Sequence, residues 1–453
     1  SNRIEKMMTD MLTFGNVVVN KFCTSNTDKI GAYRMLSNDK VNSENLAKGV
    51  FQSCKKNQGA KHLLCLQDTT ELLLDSHIGR IGKENIGSVS NKKAGLFCHP
   101  TLVVDPENQT PIGVSYVDLW NRPWERKSKE ERDYKGQPVE EKESYRWIES
   151  SLETKKLLAD TPLLTMIGDR ESDIYEEFDI VPDKKTHLLV RASVNRNLFE
   201  SDVKLFESLA SAKEQGRYSL EIKGNKKRKN RIAQMSVRYR KVKLQKPLRT
   251  SKKYAPYIEM WAIETRELSE STPAGEDPIL WRLLTTHPIE NFEDACLYAQ
   301  WYSLRWLIEE LFRVLKTKGL QIESNQLGSE QAIKKLLTLS IQVALVVMTL
   351  KLSITRKSEE KASLFFTEKQ IKFISILLGK VEGKTAKQKN PYPKDTLAWA
   401  SWTIARLSGW SGYKSHGPPG YITLKSGLDI FHNRYDGYLL AMDLFNSEEV
   451  YKE

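Results

Sequence analysis

Cysteine is scarce. The 453 residues hold five, Cys23, Cys54, Cys65, Cys98 and Cys296. They are scattered, odd in number and form no Cys-x-x-Cys pair. That spacing argues against a disulfide framework or a zinc site and fits a reducing cytosol. No signal-peptide pattern is visible at the start. A long uninterrupted apolar run is missing too. The most apolar stretch, Leu336 to Leu350, contains Gln342 and lies between Lys335 and Lys351. It is shorter than the roughly 20 residues a membrane span needs, so it reads as a buried helix. There is no internal repeat and no low-complexity tract. The chain opens on Ser1-Asn2 without Met, which fits a cleaved fusion scar and a longer natural N-terminus.

Apolar residues make up 40% and charged residues 28%, the composition of a soluble globular chain. The length predicts two to four domains. The charge is basic, 70 Lys+Arg against 58 Asp+Glu, net +12. A basic surplus points to a polyanionic partner such as nucleic acid. It is densest from Lys223 to Arg231, where Lys226, Lys227, Arg228, Lys229 and Arg231 form either a phosphate-binding loop or a solvated hairpin tip.

Residues 1–58 carry apolar positions at helical spacing and read as a small helical domain. The period then changes. His62 to Asp68, Leu96 to Asp105, Pro111 to Val117, Leu163 to Asp169 and His187 to Arg191 read as strands. The second and third of these form a hairpin across Pro106-Glu-Asn-Gln109, and Glu141 to Leu158 reads as a helix. From about 195 to 287 strand follows strand. Asn291 to Lys318 reads as one long helix and Gln331 to Ser353 as a second. Lys-rich linkers follow, and the tail from about Leu397 is mostly helical. The fold class is therefore mixed α/β. Its parts are an N-terminal helical domain (1–58), a core with a long β insertion (59–325) and a C-terminal helical domain (326–453).

Asp68 and Asp169 each close an apolar strand. Catalytic groups are often placed just past such strand ends, although Asp is also an ordinary turn residue. Tyr302, Arg305, Glu309 and Lys316 are more informative. On a continuous helix they fall within about 60° of arc, so one face carries an acid, two bases and a phenol. Ion pairing on a solvated face would explain the charges. It would not explain the rings of Tyr298, Trp301, Trp306 and Phe312 on the same segment, which would stack on bases or fill the core. Two strand-end Asp and one helical Glu would form an oxygen cage for hard divalent metals, Mg²⁺ or Mn²⁺. Two such ions suit phosphoryl transfer. Glu171, Asp173 and Glu310 are neighbouring acids set aside as decoys.

The spacing Tyr302-x2-Arg305-x3-Glu309-x6-Lys316 resembles the YREK signature of the insertion-sequence-four family of transposases, to which the Tn-five transposase belongs. Other segments agree in order: Ile30 to Arg34, Gln67 to Thr70, Trp120 to Pro123, Glu141 to Ser144, Gly168 to Ile174, Lys227 to Arg231, Trp281 to Thr285, Thr403 to Gly409 and Tyr435 to Tyr438. The resemblance covers nearly the whole chain. It implies a ribonuclease-H-like core with Asp68, Asp169 and Glu309 as the catalytic, metal-binding triad for two ions. It implies cut-and-paste transposition on double-stranded DNA, with hydrolysis at the transposon end, a hairpin intermediate and strand transfer. Trp281 would be the platform for a flipped base; its other reading is strand core. Tyr302, Arg305 and Lys316 would hold phosphates, with Trp306 close by. The resemblance also implies a homodimer. Trp399, Trp402 and Trp410 would carry that contact or else fill the domain's own core. The expected location is the bacterial cytoplasm, at the nucleoid. Competing readings are a catalytically silent DNA-binding regulator, another ribonuclease-H-like nuclease and a purely structural basic protein.

Overall fold

The computed structural model describes residues 2–56, 61–125, 137–222, 230–317, 319–357 and 359–450. The basic run Lys226–Lys229 lies outside them.

Eleven strands form one sheet: β1 (His62–Gln67), β2 (Thr70–Leu73), β3 (Ser88–Ser90), β4 (Lys93–Asp105), β5 (Thr110–Trp120), β6 (Leu163–Gly168), β7 (Thr186–Arg191), β8 (Gly216–Ile222), β9 (Arg231–Gln245), β10 (Tyr257–Glu267) and β11 (Leu280–Thr285). Across the centre the order is β5-β4-β1-β6-β7. The β1–β6 and β6–β7 pairs are parallel, and β4 runs antiparallel to both of its neighbours. The sheet then continues through β11, β10, β9 and β8, all antiparallel. The β insertion is thus hydrogen-bonded to the core, because β11 pairs with β7 at Leu283↔Arg191.

The unbroken apolar run of β1 follows from burial on both faces of the sheet. Leu64 and Leu66 enter one core and Leu63 and Cys65 the other, the alternation a strand imposes. The first core is shared by helices from both ends of the chain. Met7, Met11, Leu36 and Val50 meet Leu336, Leu345, Leu424 and Phe431 there. Its axis is the helix Glu330–Arg356, started by Ser329, whose side chain accepts from the Ala332 N–H. This helix is long and apolar enough to cross a membrane, yet 89% of its apolar window is buried in the protein. It also carries a buried lysine. Lys335 Nζ donates to the carbonyls of Leu36 and Asn38, both at 2.9 Å, where the helix Asn26–Leu36 ends. A cation there satisfies carbonyls that a helix end leaves without partners.

The second core packs the helix Tyr145–Leu157 against the sheet through Ile148 and Leu152. That helix starts at Tyr145, not at Glu141. The preceding residues are held otherwise, since Glu143 accepts from Trp120 Nε1 and Arg122 Nε, both at 2.7 Å. Within 195–287 a short helix, Leu205–Ala210, interrupts the strands. Trp399 and Trp402 are buried within the chain, and Trp410 is half-buried with its ring 6.5 Å from that of Trp402. The intradomain reading holds for the first two. All five cysteines are free thiols, four of them buried.

The expected single helix over Asn291–Lys318 is two helices, Phe292–Ser303 and Trp306–Lys316. At the junction the backbone switches to bonds three residues apart, Arg305 N to Tyr302 O and Leu307 N to Leu304 O. Ser303 Oγ turns back onto the Gln300 carbonyl at 2.6 Å, a contact that often bends helices. The single-face argument for Tyr302, Arg305, Glu309 and Lys316 therefore fails in its simple form.

Candidate active site

β1 and β2 are one strand interrupted at Asp68-Thr69. Both pair with β4, and the register is continuous across the gap, Gln67↔Thr101 and Thr70↔Cys98. Asp68 therefore sits in the middle of a long strand rather than at its end. Its carboxylate accepts from the Thr69 N–H at 2.8 Å.

Asp169 follows β6 directly. The turn requires Gly168, because a Cβ there would lie 2.4 Å from Ser172 Cβ. Asp169 caps the short turn of helix that follows by accepting from the Glu171 N–H at 2.8 Å. β6 is parallel to β1, with Leu66 opposite Ile167, so the two aspartates emerge side by side.

Glu309 comes from the first turn of the helix Trp306–Lys316, and Arg305 ties it to Asp68. One guanidinium nitrogen of Arg305 lies 2.7 Å from Asp68 Oδ2 and the other 2.5 Å from Glu309 Oε1. Burial pushes the Asp68 carboxyl up to about 6. Arg305 opposes the shift, and the carboxylates of Asp169 and Glu309 add to it. The three acids are thus close enough to feel one another.

Among the described residues no group of three His, Cys, Asp or Glu side chains is arranged as a cation cage. The guanidinium lies between Asp68 and Glu309. The donor set still fits the expected divalent ions. It consists of carboxylate oxygens, the ligands that hard cations prefer. Moreover, Asp68 remains hard to ionise even beside Arg305.

Tyr302 is buried, and its ring meets that of Trp281 edge-on at 5.8 Å. Burial raises its hydroxyl pKa, Arg305 and Arg191 oppose this, and Asp169 adds to it. Trp281 itself is half-buried. Lys316 donates to the carbonyl of Glu71 on β2, and burial lowers its pKa. Trp306 is 37% exposed, with the Arg356 guanidinium 5.9 Å from its ring. Arg231 is held away from the acids, in an ion pair with the buried Glu267. Glu310 is buried against Tyr421 Oη and Arg313, and Asp173 is buried against Arg196. Both carboxylates are paired within the fold.

Three site residues were not found from sequence. Arg191 lies beside the Tyr302 hydroxyl. Arg146 donates to Thr69 Oγ1 at 3.1 Å and to Glu171 Oε2 at 2.5 Å. His99 shares a hydrogen bond with the Thr69 hydroxyl, with Nδ1 and Oγ1 2.9 Å apart. Arg146 stands two residues beyond the Glu141–Ser144 segment, which was a visible pointer. Arg191 and His99 lie inside strand runs, where nothing marks them.

Comparison with protein families matches residues 116–346 to the transposase DDE domain. The match begins within β5 and ends within the helix Glu330–Arg356, so it contains Asp169 and Glu309, and Asp68 precedes it. The family implies a ribonuclease-H-like fold, action on DNA and, in general, the use of divalent metal ions. The match spans half of the chain, which therefore belongs to this family: it is a DDE transposase, an enzyme of DNA cleavage and strand transfer.

Proposed function

We propose that the chain is a cut-and-paste transposase of the insertion-sequence-four type. It would hydrolyse DNA at the ends of its element, pass through a hairpin and join the freed element to target DNA. The observation that carries this reading is Arg305 spanning Asp68 and Glu309, with Asp169 close enough to shift Asp68. The central strand order, with β4 antiparallel to β1 and β6 and β7 parallel to it, supports a ribonuclease-H-like core.

Asp68, Asp169 and Glu309 would hold two Mg²⁺ or Mn²⁺ ions. When bound, such ions activate an attacking water and stabilise the leaving oxygen. The remaining chemistry falls to the chain's own groups. Arg305 has the fork geometry to take a phosphate as readily as two carboxylates. Tyr302 and Lys316 would complete the phosphate contacts. Trp281 would receive a flipped base, and Tyr302 braces its ring from below. Trp306 presents a partly exposed face for a second stacking contact. Lys226, Lys227, Arg228, Lys229 and Arg231 would follow the DNA backbone. A homodimer would hold two ends together. Leu440 and Leu444, exposed and one turn apart on the last helix, support that surface.

The test is cleavage of a duplex carrying the element's own terminal repeat, with Mg²⁺ or with EDTA, by wild type and Glu309→Ala. Metal-dependent nicking at the end, then a hairpin, both lost in the variant, is expected. Binding without cleavage by the wild type would replace this reading with that of a silent regulator. Cleavage indifferent to the end sequence would point to a general nuclease.

A further inference from the structure

Resting on the metal-site reading above, we propose that Arg146 is a positioning residue that clamps the two aspartate segments together and so sets the affinity of the site for divalent cations.

Each catalytic aspartate is oriented in the same manner. The Asp68 carboxylate accepts from the backbone N–H of Thr69, and the Asp169 carboxylate accepts from the backbone N–H of Glu171. The side chains of these two donors, Thr69 and Glu171, are both held by Arg146. Its Nε donates to Thr69 Oγ1 at 3.1 Å and its Nη2 to Glu171 Oε2 at 2.5 Å. Its third arm, Nη1, donates to the Glu143 carbonyl at 2.8 Å and fixes the guanidinium to the start of its own helix. One rigid fork thus fixes both N–H groups that aim the carboxylates. A lysine ammonium, a point donor on a flexible stem, does not offer that geometry.

The Thr69 arm is anchored further in. With Arg146 donating to Thr69 Oγ1, the hydroxyl donates to His99 Nδ1 at 2.9 Å. His99 Nε2–H then points to Ser150 Oγ at 3.4 Å. Ser150 donates to Gln67 Oε1 and Gln67 Nε2 to Ser151 Oγ, both at 2.7 Å. With that tautomer of His99 the chain passes through Gln67, the residue before Asp68, and reaches Ser151. The Arg146 side chain is 11% exposed, so its charge faces the protein and not a DNA backbone.

Partners that orient metal ligands typically change metal affinity or activity by about 10–100-fold when removed. The experiment is a titration with Mn²⁺, followed by the electron paramagnetic resonance signal of free Mn²⁺. It compares full-length wild type, Arg146→Ala, Arg146→Lys, Glu171→Gln and the control Asp68→Ala. Thermal melts check folding. Glu171→Gln removes the charge from the more exposed arm and weakens it, so it keeps the test open if Arg146→Ala does not fold. We expect Mn²⁺ affinity to fall about tenfold or more in Arg146→Ala. It should fall in the same direction but less in Glu171→Gln, and Arg146→Lys should not restore it. Affinity for end DNA should stay within about twofold, with an unchanged salt slope. Wild-type Mn²⁺ affinity in folded Arg146→Ala and Glu171→Gln, with binding lost in Asp68→Ala, would overturn the clamp alone. Full restoration by lysine would overturn it as well. A salt slope reduced by about one would instead make Arg146 a phosphate contact. If wild type shows no Mn²⁺ binding that Asp68→Ala removes, the metal-site reading itself fails.

Discussion

Asp68 is partly buried beside one cation and two further acids, and its environment decides what each neighbour is worth. Burial alone would keep it neutral, and Arg305 makes the charged form bearable. The three acids were singled out in the sequence because two close apolar runs and the third belongs to a motif with three fixed gaps. What Arg305 touches was not legible. Spacing placed it on a phosphate-binding face, while in the fold it grips Asp68 as well as Glu309. That contact spans more than two hundred positions, and no local pattern encodes it. Trp281 is a second case at this scale. Its sequence admitted a stacking platform or a core residue, and its half-buried ring lies edge-on to that of Tyr302. Trp281→Ala is expected to leave first-strand nicking near the wild-type rate and to lower hairpin yield on a denaturing gel. An unchanged yield would return Trp281 to the core.

Among elements, the apolar runs announced nearly every central strand, and their ends were accurate to a few positions. Burial on two faces leaves mostly apolar residues inside a strand, so such runs stand out. β2 and β3 were missed because they are short and mixed. The helix Glu368–Val381 was missed although it carries a capping box, with Thr367 and Gln370 three apart. The break at Leu304-Arg305 had one faint signal, Ser303, whose hydroxyl turns back onto the Gln300 carbonyl. Helix ends near the site are open to measurement. Asn291 caps the helix Phe292–Ser303 by accepting from the Asp294 N–H at 2.9 Å. Asn291→Ala should cost about 1 kcal/mol of stability, read as a lower urea midpoint at unchanged slope. A midpoint equal to wild type would mean that the cap is not needed.

The whole molecule has a second polar cluster at the far end of the parallel strands. His62 and His287 share the Thr165 hydroxyl at 2.8 and 2.7 Å, and the His187 and His287 rings stack at 4.0 Å. Burial lowers all three. His62 falls to about 4, with His187 adding to the effect, and His287 falls lower still. The folded protein therefore keeps them neutral while the unfolded chain takes up protons below about 6.5. Their contribution to stability is complete above that pH and is lost as pH falls, and for His62 and His287 the loss continues towards pH 4 at up to about 1.4 kcal/mol per pH unit each. Glu177, raised by burial to about 8, and Asp68 act in the opposite sense. The clean measurement is thus a difference. Between pH 6.5 and 4, wild type should lose stability relative to His62→Gln. Parallel curves would remove His62 from the account.

Sequence order suggested a helical domain at each end and a core between. Helices from both ends instead share one apolar core around Glu330–Arg356, and only long-range packing discloses that. The pairing of β11 with β7 has its own consequence. Gly168, just before Asp169, is opposite Val190 on β7, and Leu283 on β11 is opposite Arg191. Neighbouring strands lie about 4.8 Å apart, so the acid at the end of β6 and the β11 ladder are separated by about 10 Å. Trp281 stands two residues along from Leu283 on the same side of the sheet. The sheet is thus a ruler between the point of cutting and the ring that would take a displaced base, graduated in residues. Adding one residue within β11 would turn Trp281 to the opposite face, whereas length changes in the loop before Leu280 would leave the scale untouched.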